Sequence, residues 1–95
     1  MLIANLSIDY KNPPEGFPDR FALTNKEKKK LYIDLINQKS ITGVVILQTC
    51  NRFEIYFTNN AINDGIKHVV DVIIKKFGED ISEYILIKPY LDTVK

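Results

Sequence analysis

Hydrophobic and polar positions alternate through residues 1–9, with Leu2, Ala4, Leu6 and Ile8 on one parity and Asn5, Ser7 and Asp9 on the other. A period of two marks a strand with one buried face. Residues 52–58 repeat the pattern, setting Phe53, Ile55 and Phe57 against Arg52, Glu54, Tyr56 and Thr58. Residues 43–49 are a run rich in Val and Ile and read as another strand. Only Cys50 and Asn51 separate these last two, which predicts a tight hairpin with Asn51 suited to its turn. Residues 84–88 read as a further strand, stopped before Pro89.

Two segments follow the helical period instead. From about residue 61 or 63 to 77, Ile62, Ile66, Val69, Val70, Ile73 and Phe77 fall on one face, and Gly78 suits the position just past a helix end. His68 lies off that stripe and reads as solvated surface. Thr24-Asn25-Lys26-Glu27 matches a capping box, so a helix is expected to about Gln38 with a stripe of Leu31, Tyr32, Leu35 and Ile36. Residues 11–19 hold Pro13, Pro14, Gly16 and Pro18 and read as a loop.

The resulting order, β-α-β-β-α-β, predicts an α+β fold of the ferredoxin-like, split βαβ kind. Two right-handed crossovers would lay both helices on one face of a four-stranded antiparallel sheet. Phe53, Ile55 and Phe57 then pack under the helices. Arg52, Glu54 and Tyr56 occupy the open face, with Asn5 and Ser7.

Length narrows the picture. Ninety-five residues make one domain, taken here as 1–88, with 89–95 reading as the start of a truncated helix or a linker toward absent domains. Hydrophobic residues at 45% and charged residues at 26% fit a globular chain. No apolar run is long enough to span a membrane, and Met1-Leu2-Ile3-Ala4-Asn5 lacks a signal peptide's basic start. A single cysteine permits no internal disulfide, so a reducing, cytoplasmic setting is the default. The net charge of +1 argues for no polyanionic partner by itself. Lys26, Lys28, Lys29 and Lys30 nevertheless crowd a helix start, where cations oppose the dipole. They read either as a solvated face or as an anion-binding patch.

Only two of the thirteen cations, Arg20 and Arg52, are arginine, the residue suited to forked recognition of carboxylate or phosphate. Arg52 stands two residues from the only cysteine. A lone Cys is ordinarily a buried small hydrophobe. Here it sits in a polar turn with the Thr49 hydroxyl, the Asn51 amide and the Arg52 guanidinium. A nearby cation favours the reactive thiolate. Arg52 could serve that purpose or hold a substrate carboxylate, and Glu54 on the same strand face could orient it or form an ordinary surface ion pair. No Gly-x-Gly-x-x-Gly motif occurs, so these residues carry no nicotinamide-binding signature.

Thr49, Cys50, Asn51, Arg52, Glu54 and Tyr56, in the pattern Thr-Cys-Asn-Arg-x-Glu-x-Tyr, resemble the active-site signature of the glutamyl-tRNA reductase family. The apolar strand before them fits too. Asp9-Tyr10-Lys11-Asn12-Pro13-Pro14 is a weaker match to the family's Asn-His-Lys-Thr-Ala-Pro. The family usually has Ser or Thr at the place of Gln48, His at that of Tyr10 and Arg at that of Pro18, so no substrate role is carried to those three.

The resemblance implies the first committed enzyme of five-carbon tetrapyrrole biosynthesis. Cys50 would be its nucleophile, forming a thioester from glutamyl-tRNA. Arg52 would hold the glutamyl side-chain carboxylate, Thr49 and Asn51 would shape the pocket, and Glu54 would support Arg52. NADPH would then reduce the thioester to glutamate-1-semialdehyde, bound by a domain absent here rather than by this chain. Downstream NADPH-binding and dimerisation domains, a homodimer at full length and glutamate-1-semialdehyde aminotransferase are the implied partners. No metal is implied. The alternatives are a non-catalytic module of the same topology, binding single-stranded RNA on its open face, and a regulatory ligand-binding domain with an incidental cysteine.

Overall fold

The computed structural model describes residues 2–9, 15–49, 52–60 and 62–90. Its elements run β1 (Leu2–Asp9), α1 (Asn25–Ile36), β2 (Ile41–Gln48), β3 (Arg52–Asn59), α2 (Ile62–Phe77) and β4 (Ile85–Tyr90). The strands form one antiparallel sheet in the order β2-β3-β1-β4. This is the expected α+β, ferredoxin-like arrangement.

Strand parity sets the core. Ala4, Leu6 and Ile8 from β1 join Phe53, Ile55 and Phe57 from β3, all buried on the face that receives Leu31 and Leu35 of α1 and Val69 and Ile73 of α2. Both helices therefore share one face of the sheet. Burying each such side chain contributes roughly 1.5–3 kcal/mol, so this layer supplies most of the stability. Helix α1 begins as the sequence requires: the Thr24 hydroxyl accepts from the Glu27 N–H at 3.1 Å, and Glu27 Oε1 accepts from the Thr24 N–H at 3.0 Å. These bonds hold the Glu27 carboxyl below its ordinary pKa. Gly78, with φ of 107°, ends α2, and its N–H reaches the Ile74 carbonyl at 2.7 Å.

Several boundaries differ from the sequence reading. Helix α1 stops at Ile36 rather than Gln38, and Tyr32 is 42% exposed, outside the stripe assigned to it. β2 starts at Ile41 because a register irregularity between Ile41 and Gly43 lets the ladder pass the glycine. β4 runs through Pro89, tolerable because it is an edge strand. The first two residues of the expected terminal helix thus continue the sheet, and residues 91–95 lie outside the described residues. Part of the expected loop at 11–19 belongs to a 3-10 helix, Pro18–Phe21, that buries Phe17 and Phe21. Proline opens it at a position where its missing N–H costs nothing. A second 3-10 helix, Glu79–Tyr84, buries Ile81.

Candidate functional site

The hairpin joining β2 to β3 is closed at its mouth by Thr49. Its N–H donates to the Arg52 carbonyl at 3.0 Å, its hydroxyl accepts from the Arg52 N–H at 3.1 Å, and that hydroxyl also lies 3.2 Å from the Arg52 carbonyl. Thr49 thus fixes the loop rather than presenting a free hydroxyl. Cys50 and Asn51, the two residues between Thr49 and Arg52, lie outside the described residues.

Beyond the mouth, β3 turns Arg52, Glu54 and Tyr56 to the open face, as alternation requires. The register sets Asn5 opposite Tyr56, and Ser7 opposite Glu54. Glu54 is the hub. Its Oε2 accepts from Asn5 Nδ2 at 3.1 Å and from the Tyr56 hydroxyl at 3.0 Å, while Oε1 faces an Arg52 guanidinium nitrogen at 3.5 Å. Asn5 is only 3% exposed, and a buried amide needs such a partner. The Glu54 side chain is 13% exposed and that of Arg52 53%. Glu54 is therefore anchored from below, whereas the Arg52 guanidinium meets only Glu54 among the described residues, and the rest of its donor fork has the geometry to receive a planar anion such as a carboxylate. The Tyr56 hydroxyl and the Asn5 amide, both read from sequence onto the open face, prove to be the donors that hold Glu54. The Asn5 contact depends on strand register, which the one-dimensional pattern does not carry, whereas Tyr56 and Glu54 share one face of β3.

The core side of the same end is tied to α1. Gln48 Oε1 accepts from the Leu23 N–H at 3.1 Å, one residue before the Thr24 cap. Beneath the hairpin, Phe53 packs against Phe21 and Phe77, with ring centroids 5.6 and 5.7 Å away.

Arg20 has a different setting. Its guanidinium donates to both Asp80 carboxylate oxygens, at 2.7 and 3.0 Å, and to the Phe77 carbonyl at the end of α2. It also lies 5.7 Å from the Phe17 ring centroid. The ion pair lowers the Asp80 pKa and raises that of Arg20. His68 departs from the solvated role read from the helical wheel. It is half-buried, and its Nε2 lies 3.0 and 3.1 Å from the Asp34 and Leu35 carbonyls, joining α2 to the last turn of α1.

A model of the N-terminal domain of glutamyl-tRNAGlu reductase matches residues 6–95. The chain belongs to the glutamyl-tRNA reductase family. It is 35% identical over 89 residues to the glutamyl-tRNA reductase of Clostridium novyi, covering 93% of this chain and 21% of that protein. It is 31% identical over 90 residues to the Oceanobacillus iheyensis enzyme, covering 92% and 20%. The chain thus spans about a fifth of the length of these curated relatives. Among solved structures, a dimeric ferredoxin-like protein from an uncultured marine organism superposes with a TM-score of 0.52 at 14% identity, covering 99% of this chain and 89% of that one. That likeness concerns the fold alone.

Family membership gives the departures physical content. Gln48, where the family usually has Ser or Thr, tethers the hairpin to the segment before α1. Pro18, where it often has Arg, opens the 3-10 helix. Tyr10 lies outside the described residues. The nicotinamide cofactor that the sequence resemblance implies finds no fit at this chain's glycines. Gly43 is inside β2 and Gly65 inside α2, while Gly16 and Gly78 sit in a turn and at a helix end. None forms the strand-to-helix phosphate turn that a dinucleotide requires. Among the described residues, no group of three His, Cys, Asp or Glu could hold a metal ion.

Proposed function

We propose that this chain is the thiol-bearing catalytic domain of a glutamyl-tRNA reductase. In this reading the Cys50 thiolate attacks the ester carbonyl that joins glutamate to the 3′ end of its tRNA. A carbon–sulfur bond forms, the carbon–oxygen bond to the ribose breaks, and the tRNA leaves with that oxygen protonated. One difficult conversion is thereby divided into two easier ones. Arg52 receives the glutamyl side-chain carboxylate through its fork and, as a neighbouring cation, favours the thiolate. Glu54 holds Arg52 in place. Thr49 fixes the loop that carries Cys50, and Asn51 completes the pocket.

The observation that carries this reading is the half-exposed Arg52 guanidinium, oriented at 3.5 Å by an anchored Glu54 and two residues from the only cysteine. An RNA-binding module would instead offer stacking aromatics on the open face. Tyr56 is half-buried there, with its hydroxyl bonded to Glu54. Hydride delivery from NADPH, the product glutamate-1-semialdehyde for tetrapyrrole synthesis, dimerisation and contact with the aminotransferase belong to the same reading. They fall to segments other than these 95 residues. A cytoplasmic setting accompanies them, and no helix among the described residues is long and apolar enough to cross a membrane.

Mass spectrometry after incubation with glutamyl-tRNA tests the proposal. A glutamyl adduct on Cys50 is expected, with none in Cys50→Ser. An adduct of equal yield in Cys50→Ser would overturn it.

A further inference from the structure

Helices α1 and α2 meet so that the start of one lies beside the end of the other. A cleft of about 500 Å³ between them is lined by Lys30, Leu31, Asp34 and Asn37 from the first helix and its end, and by Val72, Lys75 and Lys76 from the second. Lys76 is close enough to Glu27 for its charge to lower that carboxyl's pKa. Lys26, Lys28 and Lys29 stand on the turns just before Lys30. Six lysines therefore gather at one end of the helical layer, in a chain whose net charge is only +1. Of the carboxylates nearby, Glu27 is committed to the Thr24 cap and Asp80 to Arg20, which leaves Asp34 as the acidic residue among the described cleft residues, against three lysines. Placing cations at the start of α1 works against the helix dipole, at a small cost.

This is also the hairpin end of the molecule. Leu23, just ahead of the lysine run, is bonded to Gln48 of β2. Phe77, just after Lys76, packs on Phe53, the neighbour of Arg52. The lysines and the residues flanking Cys50 thus share one end of the domain, the first on the helical layer and the second at the rim of the sheet.

We infer that the lysine-lined cleft between α1 and α2 is a docking surface for the phosphate backbone of the tRNA whose aminoacylated 3′ end reaches Cys50. The inference rests on the proposed function and adds where the polyanion lies. Lysine suits this task because a sugar–phosphate chain needs a field of mobile point charges, whereas the single carboxylate at Arg52 needs a fork. Leu31 and Val72 are the apolar part of the lining, and Lys30, Lys75 and Lys76 outnumber Asp34 among its charged residues.

The test uses the protein at its natural length and an uncharged glutamate-accepting tRNA, with affinity read by fluorescence anisotropy across a salt series. Each lost phosphate contact should lower the slope of log affinity against log salt by roughly 0.7–0.9. In the triple variant Lys30→Gln, Lys75→Gln, Lys76→Gln the slope should therefore fall by about 2, with affinity down on the order of tenfold at moderate salt. The same three positions changed to Arg should restore the slope. Lys39→Gln with Lys67→Gln, neither of which lines the cleft, should leave it unchanged.

A glutamyl ester of adenosine, lacking the phosphate chain, separates the two levels. The triple Gln variant should acylate Cys50 from this short ester at the parent rate. Unchanged tRNA affinity and slope in that variant would overturn the docking inference, even with acylation intact. A loss that Arg at the three positions does not restore, or binding of anionic lipid vesicles to the cleft without a tRNA response, would overturn it as well. Failure of the short ester to label Cys50 in the parent protein would instead count against the catalytic reading, leaving the salt-slope result to judge the cleft.

Discussion

The two arginines of this chain have the same side chain and opposite circumstances. Arg20 is spent: it grips both oxygens of Asp80, satisfies the last carbonyl of α2 at Phe77 and rests against Phe17. Among the described residues Arg52 touches one carboxylate oxygen, at 3.5 Å, and it stands more than half exposed. A guanidinium whose two terminal nitrogens are both engaged within the fold acts as a fastener. One that is oriented but unsaturated is prepared to recognise something else. Charge alone does not separate the two, nor does the phenylalanine that follows each; the nearby Cys50 marks Arg52 in the sequence.

The largest effect on that contrast is expected from Arg52→Lys. Lysine keeps the charge and loses the fork, so acylation of Cys50 by glutamyl-tRNA should slow by about 10–100-fold, the worth of a hydrogen-bonded charged contact of roughly 1.5–3 kcal/mol. The midpoint of urea unfolding should barely move, since the residue is exposed. Arg20→Met should do the reverse. Uncapping the Phe77 carbonyl and releasing an exposed ion pair should lower unfolding free energy by about 1–2 kcal/mol, with the acylation rate per folded molecule unchanged. If Arg20→Met slowed acylation as much as Arg52→Lys did, the division of labour would be wrong.

A finer cut comes from Tyr56→Phe. It removes one of the two donors on Glu54 Oε2, and a loss of about 0.5–1 kcal/mol in positioning predicts a two- to fivefold slower acylation in single-turnover assays. The smallest effect concerns acid. Pairing with Arg20 lowers the folded pKa of Asp80, so the stabilisation is present above the unfolded aspartate value. It is lost as pH falls through the folded one, from about pH 4 downward. The difference in melting temperature between the parent chain and Asp80→Asn should therefore shrink as pH drops through that range. A difference that grew in acid would contradict the assignment.

Much of this was legible in the sequence because alternation and helical periodicity are local. The parity of residues 52–58 alone separates Phe53, Ile55 and Phe57 from Arg52, Glu54 and Tyr56, and it puts the site on the open face. What escaped is non-local or disguised. That Asn5 reaches Glu54 follows from β1 lying beside β3 in a particular register, forty-nine residues away along the chain. His68 looks solvated on a wheel of its own helix, yet the helix next to it supplies two carbonyls. Phe17 and Phe21 were hidden by the surrounding prolines. Their spacing of four, with Pro18 at a helix-opening position, is the signal that identifies a buried turn there.

The bond between Gln48 and Leu23 bears on protein engineering. It makes the stretch from Gln48 to Tyr56 a poor candidate for transplantation as a cassette. One end of that stretch is held by a backbone N–H twenty-five positions earlier, supplied by the segment that launches α1. A recipient sheet with the same four strands and no equivalent of Leu23 would accept the loop's letters while leaving the Gln48 amide without its anchor. The portable unit is larger than the motif: it includes the approach to the first helix, and with it the start of the lysine row.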